Sequence, residues 1–175
     1  VTVKKPMRIL LFVAISLLGF CTVAAQPHSE WHVVRSEADG FSVELPAPPK
    51  ITTAPLANGG TQKNFTLEAG PDTYLVSVIQ LPKGSVPASP DESYFDILLK
   101  AYVEGSKTTL RSSRMITLAG QAGKEGIADA EPVVHVVDVT ALGDRIYLIV
   151  YAGPKGQESG GKATHMRDSF KLLGG

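Results

Sequence analysis

Two stretches constrain the fold more than anything else in the chain: Tyr74-Leu75-Val76-Ser77-Val78-Ile79 and Ile146-Tyr147-Leu148-Ile149-Val150-Tyr151. Both are rich in β-branched and aromatic residues, which favour a pleated, packed surface. Neither alternates between apolar and polar. A strand with one wet face alternates, whereas a strand buried on both faces reads as a continuous apolar run. The chain is therefore expected to build a sheet whose central strands are covered on both sides.

The surrounding pattern supplies further strands. Residues 31–34 and 41–45 flank a turn at Glu37-Ala38-Asp39-Gly40. Residues 61–67 and 73–81 flank Ala69-Gly70-Pro71-Asp72 and read as a hairpin. A short strand is expected at 114–118, and a second hairpin at 133–140 and 145–152, joined by Ala141-Leu142-Gly143-Asp144.

Two helical covers are legible. Ser89-Pro90-Asp91-Glu92 reads as a capping box, with Ser89 as cap, Pro90 at the first helical position and Glu92 reaching back. Tyr94, Phe95, Leu98, Leu99 and Tyr102 then repeat at helical spacing, and Gly105 is a natural stop. A second helix over 161–169 buries Ala163 and Met166, with Phe170 following. Hairpins between helices predict an α+β fold, an antiparallel sheet covered by helices on both faces in a three-layer α/β/α sandwich.

Residues 1–25 differ from the rest. Lys4, Lys5 and Arg8 precede an uncharged apolar stretch over 9–25 that closes on Val23-Ala24-Ala25. These are the three parts of a signal peptide, with cleavage expected between Ala25 and Gln26. Seventeen residues fall short of the roughly 20 that a spanning helix needs, so no stable membrane insertion is expected after processing. Phe20 ahead of Cys21 is too large for a lipoprotein peptidase. Removal of the leader takes three basic residues and the only Cys, leaving a mildly acidic, thiol-free chain suited to an oxidising compartment. The expected location is the periplasm or the outside of a bacterial cell.

The roughly 150 residues from Gln26 bury about two-thirds of their extended-chain surface, enough for one core. Pro and Gly punctuate that stretch without forming a linker, so 26–175 is read as one α+β domain. The full chain balances 17 Lys+Arg against 17 Asp+Glu and is 43% hydrophobic. That composition excludes a disordered chain and a nucleic-acid binder acting through bulk charge.

Catalytic signatures are sparse. Gly120-Gln121-Ala122-Gly123-Lys124-Glu125 has two residues between its glycines where a phosphate loop has four, and Glu125 stands where that loop carries Ser or Thr. It reads instead as a tight turn needing positive φ. His28 and His32 lie in an extended segment, His135 sits among valines at the core edge as a structural residue, and His165 faces solvent. No cofactor and no metal site is expected. Ser106, Lys107, Arg111, Ser112, Ser113 and Arg114 form a basic stretch read as a solvated loop and strand edge. Trp31 is expected to anchor the first strand to the core.

Some short stretches carry a resemblance. Gly40-Phe41-Ser42-Val43-Glu44-Leu45-Pro46 resembles the opening strand of uncharacterised exported bacterial proteins. In that group a Gly-x-x-Gly-x-Glu follows a short strand, matched by Gly120, Gly123 and Glu125. A Tyr-rich strand then precedes a closing Ala-x-x-x-x-x-Ser-Phe, matched by Ala163, Ser169 and Phe170. The group is similar to the Mog1/PsbP superfamily, an α/β/α sandwich on an antiparallel sheet. One namesake binds a nuclear GTPase and the other docks on a photosynthetic oxygen-evolving complex. The resemblance implies a small non-enzymatic module that attaches to something larger, and it carries no site residue across.

The reading that follows is an exported non-enzymatic module binding a partner protein or complex in the cell envelope. A small-ligand carrier is the alternative, with an apolar pocket between the sheet and the helix at 89–104, lined by Tyr94, Tyr102, Tyr147 and Tyr151. A hydrolase is the further alternative, if the fold gathers carboxylates such as Asp129, Glu131, Asp138 and Asp144.

Overall fold

The computed structural model describes residues 30–173 except Asn58; the leader expected at 1–25 and the cleavage expected between Ala25 and Gln26 lie outside the described residues. In chain order the elements are β1 (His32–Ser36), β2 (Phe41–Leu45), β3 (Lys50–Pro55), β4 (Thr61–Ala69), β5 (Asp72–Gln80), α1 (Glu92–Ser106), β6 (Thr109–Leu118), β7 (Gln121–Ala130), β8 (Val133–Leu142), β9 (Arg145–Pro154), α2 (Gly161–Ser169) and β10 (Lys171–Leu172). A seven-stranded sheet runs β3-β4-β5-β9-β8-β7-β6, and a three-stranded sheet runs β1-β2-β10. Every pairing is antiparallel.

The two apolar runs are the adjacent central strands β5 and β9, in register with Tyr74 opposite Tyr151 and Ile79 opposite Ile146. Alternate residues of each run face opposite layers. Tyr74, Val76, Tyr147, Ile149 and Tyr151 pack in one buried cluster with Phe41, Val43 and Leu45 of β2 and with Ala163 and Met166 of α2. Ile146, Leu148 and Val150 pack in a second cluster with Phe95 and Leu99 of α1. Full burial of one such side chain contributes on the order of 1.5–3 kcal/mol.

These clusters correct the expected layering. The fold is not a three-layer α/β/α sandwich with helices on both faces. Strands dominate, and the two helices span only 15 and 9 residues. One face of the large sheet carries α1; the other carries the small sheet, with α2 beside β2. A continuous apolar run reports that both faces are covered, but a sheet and a helix cover an apolar face equally well. The hairpin at 31–45 has the pattern of a strand pair and says nothing about which sheet it joins.

Two strands escape the sequence pattern. β3 is exposed at all six positions, so no apolar period marks it. β7 contains Gly123, Gly126 and a single β-branched residue, Ile127. The positive-φ turn lies just ahead of it, at Ala119 (φ 48°) and Gly120 (φ 82°), while Gly123 is regular strand. A Cβ on Gly123 would sit 2.5 Å from the carbonyl oxygen of Val139 on β8, so glycine permits that approach. β6 is also longer than the expected 114–118, because most of its residues are exposed.

Helix α1 starts two residues later than Ser89-Pro90 predicts. Asp91 is the cap, its carboxylate accepting the Tyr94 N–H at 2.9 Å and the Ser93 hydroxyl at 2.7 Å. The Ser93 hydrogen bond, joined by that of the Tyr94 amide, holds its carboxyl below the usual range. At the other end the helix runs through Gly105, and Lys107 takes the left-handed cap position at φ 56°. A side chain is disfavoured in that conformation, so Lys107→Gly is expected to raise stability by roughly 0.5–1 kcal/mol in urea unfolding.

Candidate functional site

The Gly-x-x-Gly-x-Glu stretch is a cross-brace. Lys124 and Glu125, adjacent on β7, point to opposite faces. Lys124 is 3% exposed and donates to Asp96 at 2.6 Å and Glu92 at 2.8 Å, tying α1 to the sheet. Burial draws its ammonium pKa down, but the bonds to Asp96 and Glu92 outweigh that and raise it. On the other face Glu125 accepts from Arg114 of β6 at 2.6 Å and from Arg167 of α2. Arg167 also donates to Asp138 of β8 at 2.7 Å. Burial pushes Glu125 up, and Arg114 and Arg167 together bring it below the usual range.

Asp138 is different. It is 2% exposed, and its second oxygen, Oδ1, has no hydrogen-bond partner among the described residues. Burial pushes its pKa up to about 6 against the opposing pull of Arg167. The basic stretch is likewise occupied: Arg111 pairs with Glu158 at 2.6 Å and Asp129 at 2.9 Å. Arg111, Arg114 and Arg167 line a polar cleft of about 620 Å³, with Glu125 and Glu158 beside them.

The carboxylates of the hydrolase alternative are each taken up by a separate partner. Asp129 belongs to Arg111, Glu131 to Lys155 and Asp138 to Arg167, while Asp144 accepts the Gly84 N–H at 2.8 Å. Among the described residues no group of three or more His, Cys, Asp and Glu converges as a metal site. His135 is structural, bonded through Nδ1 to the Tyr102 hydroxyl at 2.7 Å, and burial lowers its pKa. His165 does not simply face water. It stacks on Trp31 with ring centroids 3.9 Å apart and reaches Glu44 at 2.6 Å. Trp31 also meets the Tyr74 ring edge-on at 6.0 Å, anchoring the chain ahead of β1. His32 lies exposed at the start of β1 and His28 outside the described residues.

The four tyrosines of the ligand-carrier alternative do not converge. The Tyr147 hydroxyl donates to the Asp39 carbonyl at 3.0 Å and that of Tyr151 to Asp72 at 2.7 Å, both on the face away from α1. Tyr94 packs edge-on against Phe95. Tyr102 alone of the four lines the cleft that does exist between α1 and the sheet, a space of about 510 Å³ over β5 and β9. Its hydroxyl pKa is pushed up to about 12 by burial.

Two features at one end of the large sheet are unaccounted for by internal packing. One is this cleft. The other is β3, which pairs with β4 on one side only and exposes all its residues, Ile51 by 54%. Sequence reasoning missed β3 because an exposed edge strand has no core period; its runs of Thr and Ile were the only signal.

No protein-family model matches the chain, and no curated protein matches it in sequence. Among solved structures it is similar to cyanobacterial PsbP (CyanoP) from Synechocystis sp. PCC 6803, at 12% identity and a TM-score of 0.56, over 89% of this chain and 99% of that one. A crystal structure from Bacteroides thetaiotaomicron VPI-5482 aligns at 13% identity over 77% of this chain and 46% of that one, but its TM-score of 0.34 carries no argument. None of the helices among the described residues is long and apolar enough to cross a membrane. The alignment with CyanoP along nearly the whole of that chain leads to one conclusion: this protein has a PsbP-like fold.

Proposed function

We propose that this chain is an exported, non-enzymatic module that binds a partner protein in the bacterial cell envelope, and that it does so by adding an extended segment of the partner to β3. The observation that carries this reading is the β3 edge. Exposed edges are usually blunted by charge, bulges or a covering element, because unpaired N–H and C=O groups recruit another strand. β3 has one charged residue, Lys50, at its start, and Pro55 at its end. The opposite edge, β6, is guarded by Arg111, Arg114 and a register shift between Leu110 and Ser112. The two edges differ in that β6 carries a register shift and charges inside the strand, whereas the middle of β3, residues 51–54, carries neither charge nor Pro and suits strand addition. The apolar leader over 1–25 and the thiol-free remainder support export, and the PsbP-like fold supports a small attached module.

The test uses the processed protein in its own host. Ile51→Lys with Thr53→Lys places two charges on alternate positions of the edge. The variant is expected to lose its high-mass species in native gels of envelope extracts, whereas Ile97→Lys on the outer surface of α1 keeps it. Retention of that species by the β3 variant would remove the reading.

A further inference from the structure

The cleft under α1 is formed by an unusual choice of helix residues. Phe95 and Leu99 pack down on the sheet, and the neighbouring stripe Leu98-Ala101-Tyr102-Gly105 overhangs β5 and β9. Ala101 and Gly105 are the small members of that stripe, and both are exposed. Gly105 has no steric reason to be glycine, since a Cβ there would meet nothing within 4 Å. Gly105 lies in the last turn of α1 and leaves the mouth of the cleft without a side chain.

The lining is chemically narrow. Leu75 and Ile79 of β5, Leu148 of β9 and Leu98 supply apolar walls, and no charged side chain borders the cleft. Ser77, on β5 between Leu75 and Ile79, is 2% exposed. Its oxygen accepts from the Gln62 amide at 3.0 Å. Among the described residues its own proton has no acceptor. A buried hydroxyl with an unused donor is costly unless something accepts from it. The volume of about 510 Å³ falls in the range of small-molecule sites, which combine apolar walls with a few placed polar groups.

We infer that this cleft binds a neutral, largely apolar small molecule that presents a carbonyl-type acceptor to the Ser77 hydroxyl. A charged ligand would be desolvated there without a counter-charge. The site does not involve the outer edge of β3 and stands independently of strand addition.

The probe is prodan, a neutral naphthalene ketone whose emission moves to the blue in apolar surroundings, titrated into the processed protein. The expected result is a saturable blue shift with one probe bound per chain. Ala101→Trp fills the cleft from an exposed position and is expected to abolish the shift, with far-UV circular dichroism and melting unchanged; Gly105→Leu is expected to abolish it from the next turn, with melting unchanged or raised, and serves if Ala101→Trp perturbs the fold. Ser77→Ala is expected to weaken prodan about fivefold, the loss of one neutral hydrogen bond. It should leave N-phenyl-1-naphthylamine, which has no carbonyl, within about twofold. Absence of saturable binding, or equal binding to the filled variants, overturns the site. Equal effects of Ser77→Ala on both probes overturn the acceptor assignment.

Discussion

Arg167→Ala is expected to destabilise the protein by about 3–5 kcal/mol at pH 7, the cost of removing one partner from a buried ion pair. Arg167 lies on α2, and its guanidinium meets Glu125 and Asp138 on two different strands. Glu125 retains Arg114 after the substitution. Asp138 retains no cation in contact, and it is 2% exposed. Its escape is to take up a proton, so the deficit should shrink as pH falls. Chemical denaturation of the variant and the parent at pH 4 and pH 7 checks both statements. A loss under about 1 kcal/mol at pH 7 would mean that water reaches Asp138 and that the network does not hold α2 to the sheet.

Asp138→Asn is expected to change the pH dependence more than the stability itself. In an unfolded chain this carboxyl titrates near its ordinary value of 3.8, and in the fold burial pushes it to about 6. Between those values the folded protein holds a proton that the unfolded chain has released. The stabilisation is therefore fully present below the lower value and is lost as pH rises through the upper one. A shift of roughly two pKa units corresponds to about 3 kcal/mol. Asparagine does not titrate, so relative to the parent the variant should gain about 2 kcal/mol between pH 4 and pH 7, the part of that shift that falls inside the window. The comparison cancels most of the opposite contribution of Glu125, whose lowered pKa stabilises the fold as pH rises. Denaturation midpoints followed across that range give the measurement, and parallel curves would contradict the assignment of Asp138.

The legible parts of this fold were those in which one residue type has one structural meaning. The apolar runs at β5 and β9 have to be buried on both faces, and both faces are covered. The second helix falls where its spacing puts it, with Ala163 and Met166 buried. What lay beyond the pattern was identity of contact. Phe41-Ser42-Val43-Glu44-Leu45 is a strand in either sheet, and only tertiary packing decides that it roofs the large one. β7 is hidden by glycines that serve close backbone and helix approach: Gly126 sits under Leu99, whose methyl carbon would be 3.1 Å from an added Cβ.

The same limit governs the sites. Lys124-Glu125 resembled a turn because strand alternation alone does not reveal that its two charges meet α1 on one face and α2 on the other. His165 looked solvent-facing because its partners, Trp31 and Glu44, are more than a hundred residues away in sequence. The tyrosine-lined pocket failed because Tyr147 and Tyr151 share the alternate face of β9 from Leu148, which lines the actual cleft. Period-2 geometry separates them, and it was available in the sequence.

The central functional claim is that β3 is where the partner attaches. Its most direct test is a photo-crosslinking residue placed at Thr52, in the middle of the exposed edge, in the protein expressed in its own host, with the same residue at Ile97 on α1 as the comparison. The account predicts a covalent adduct of one defined envelope protein from position 52 and none from position 97. The same adduct from position 97, or no adduct from position 52, would contradict it.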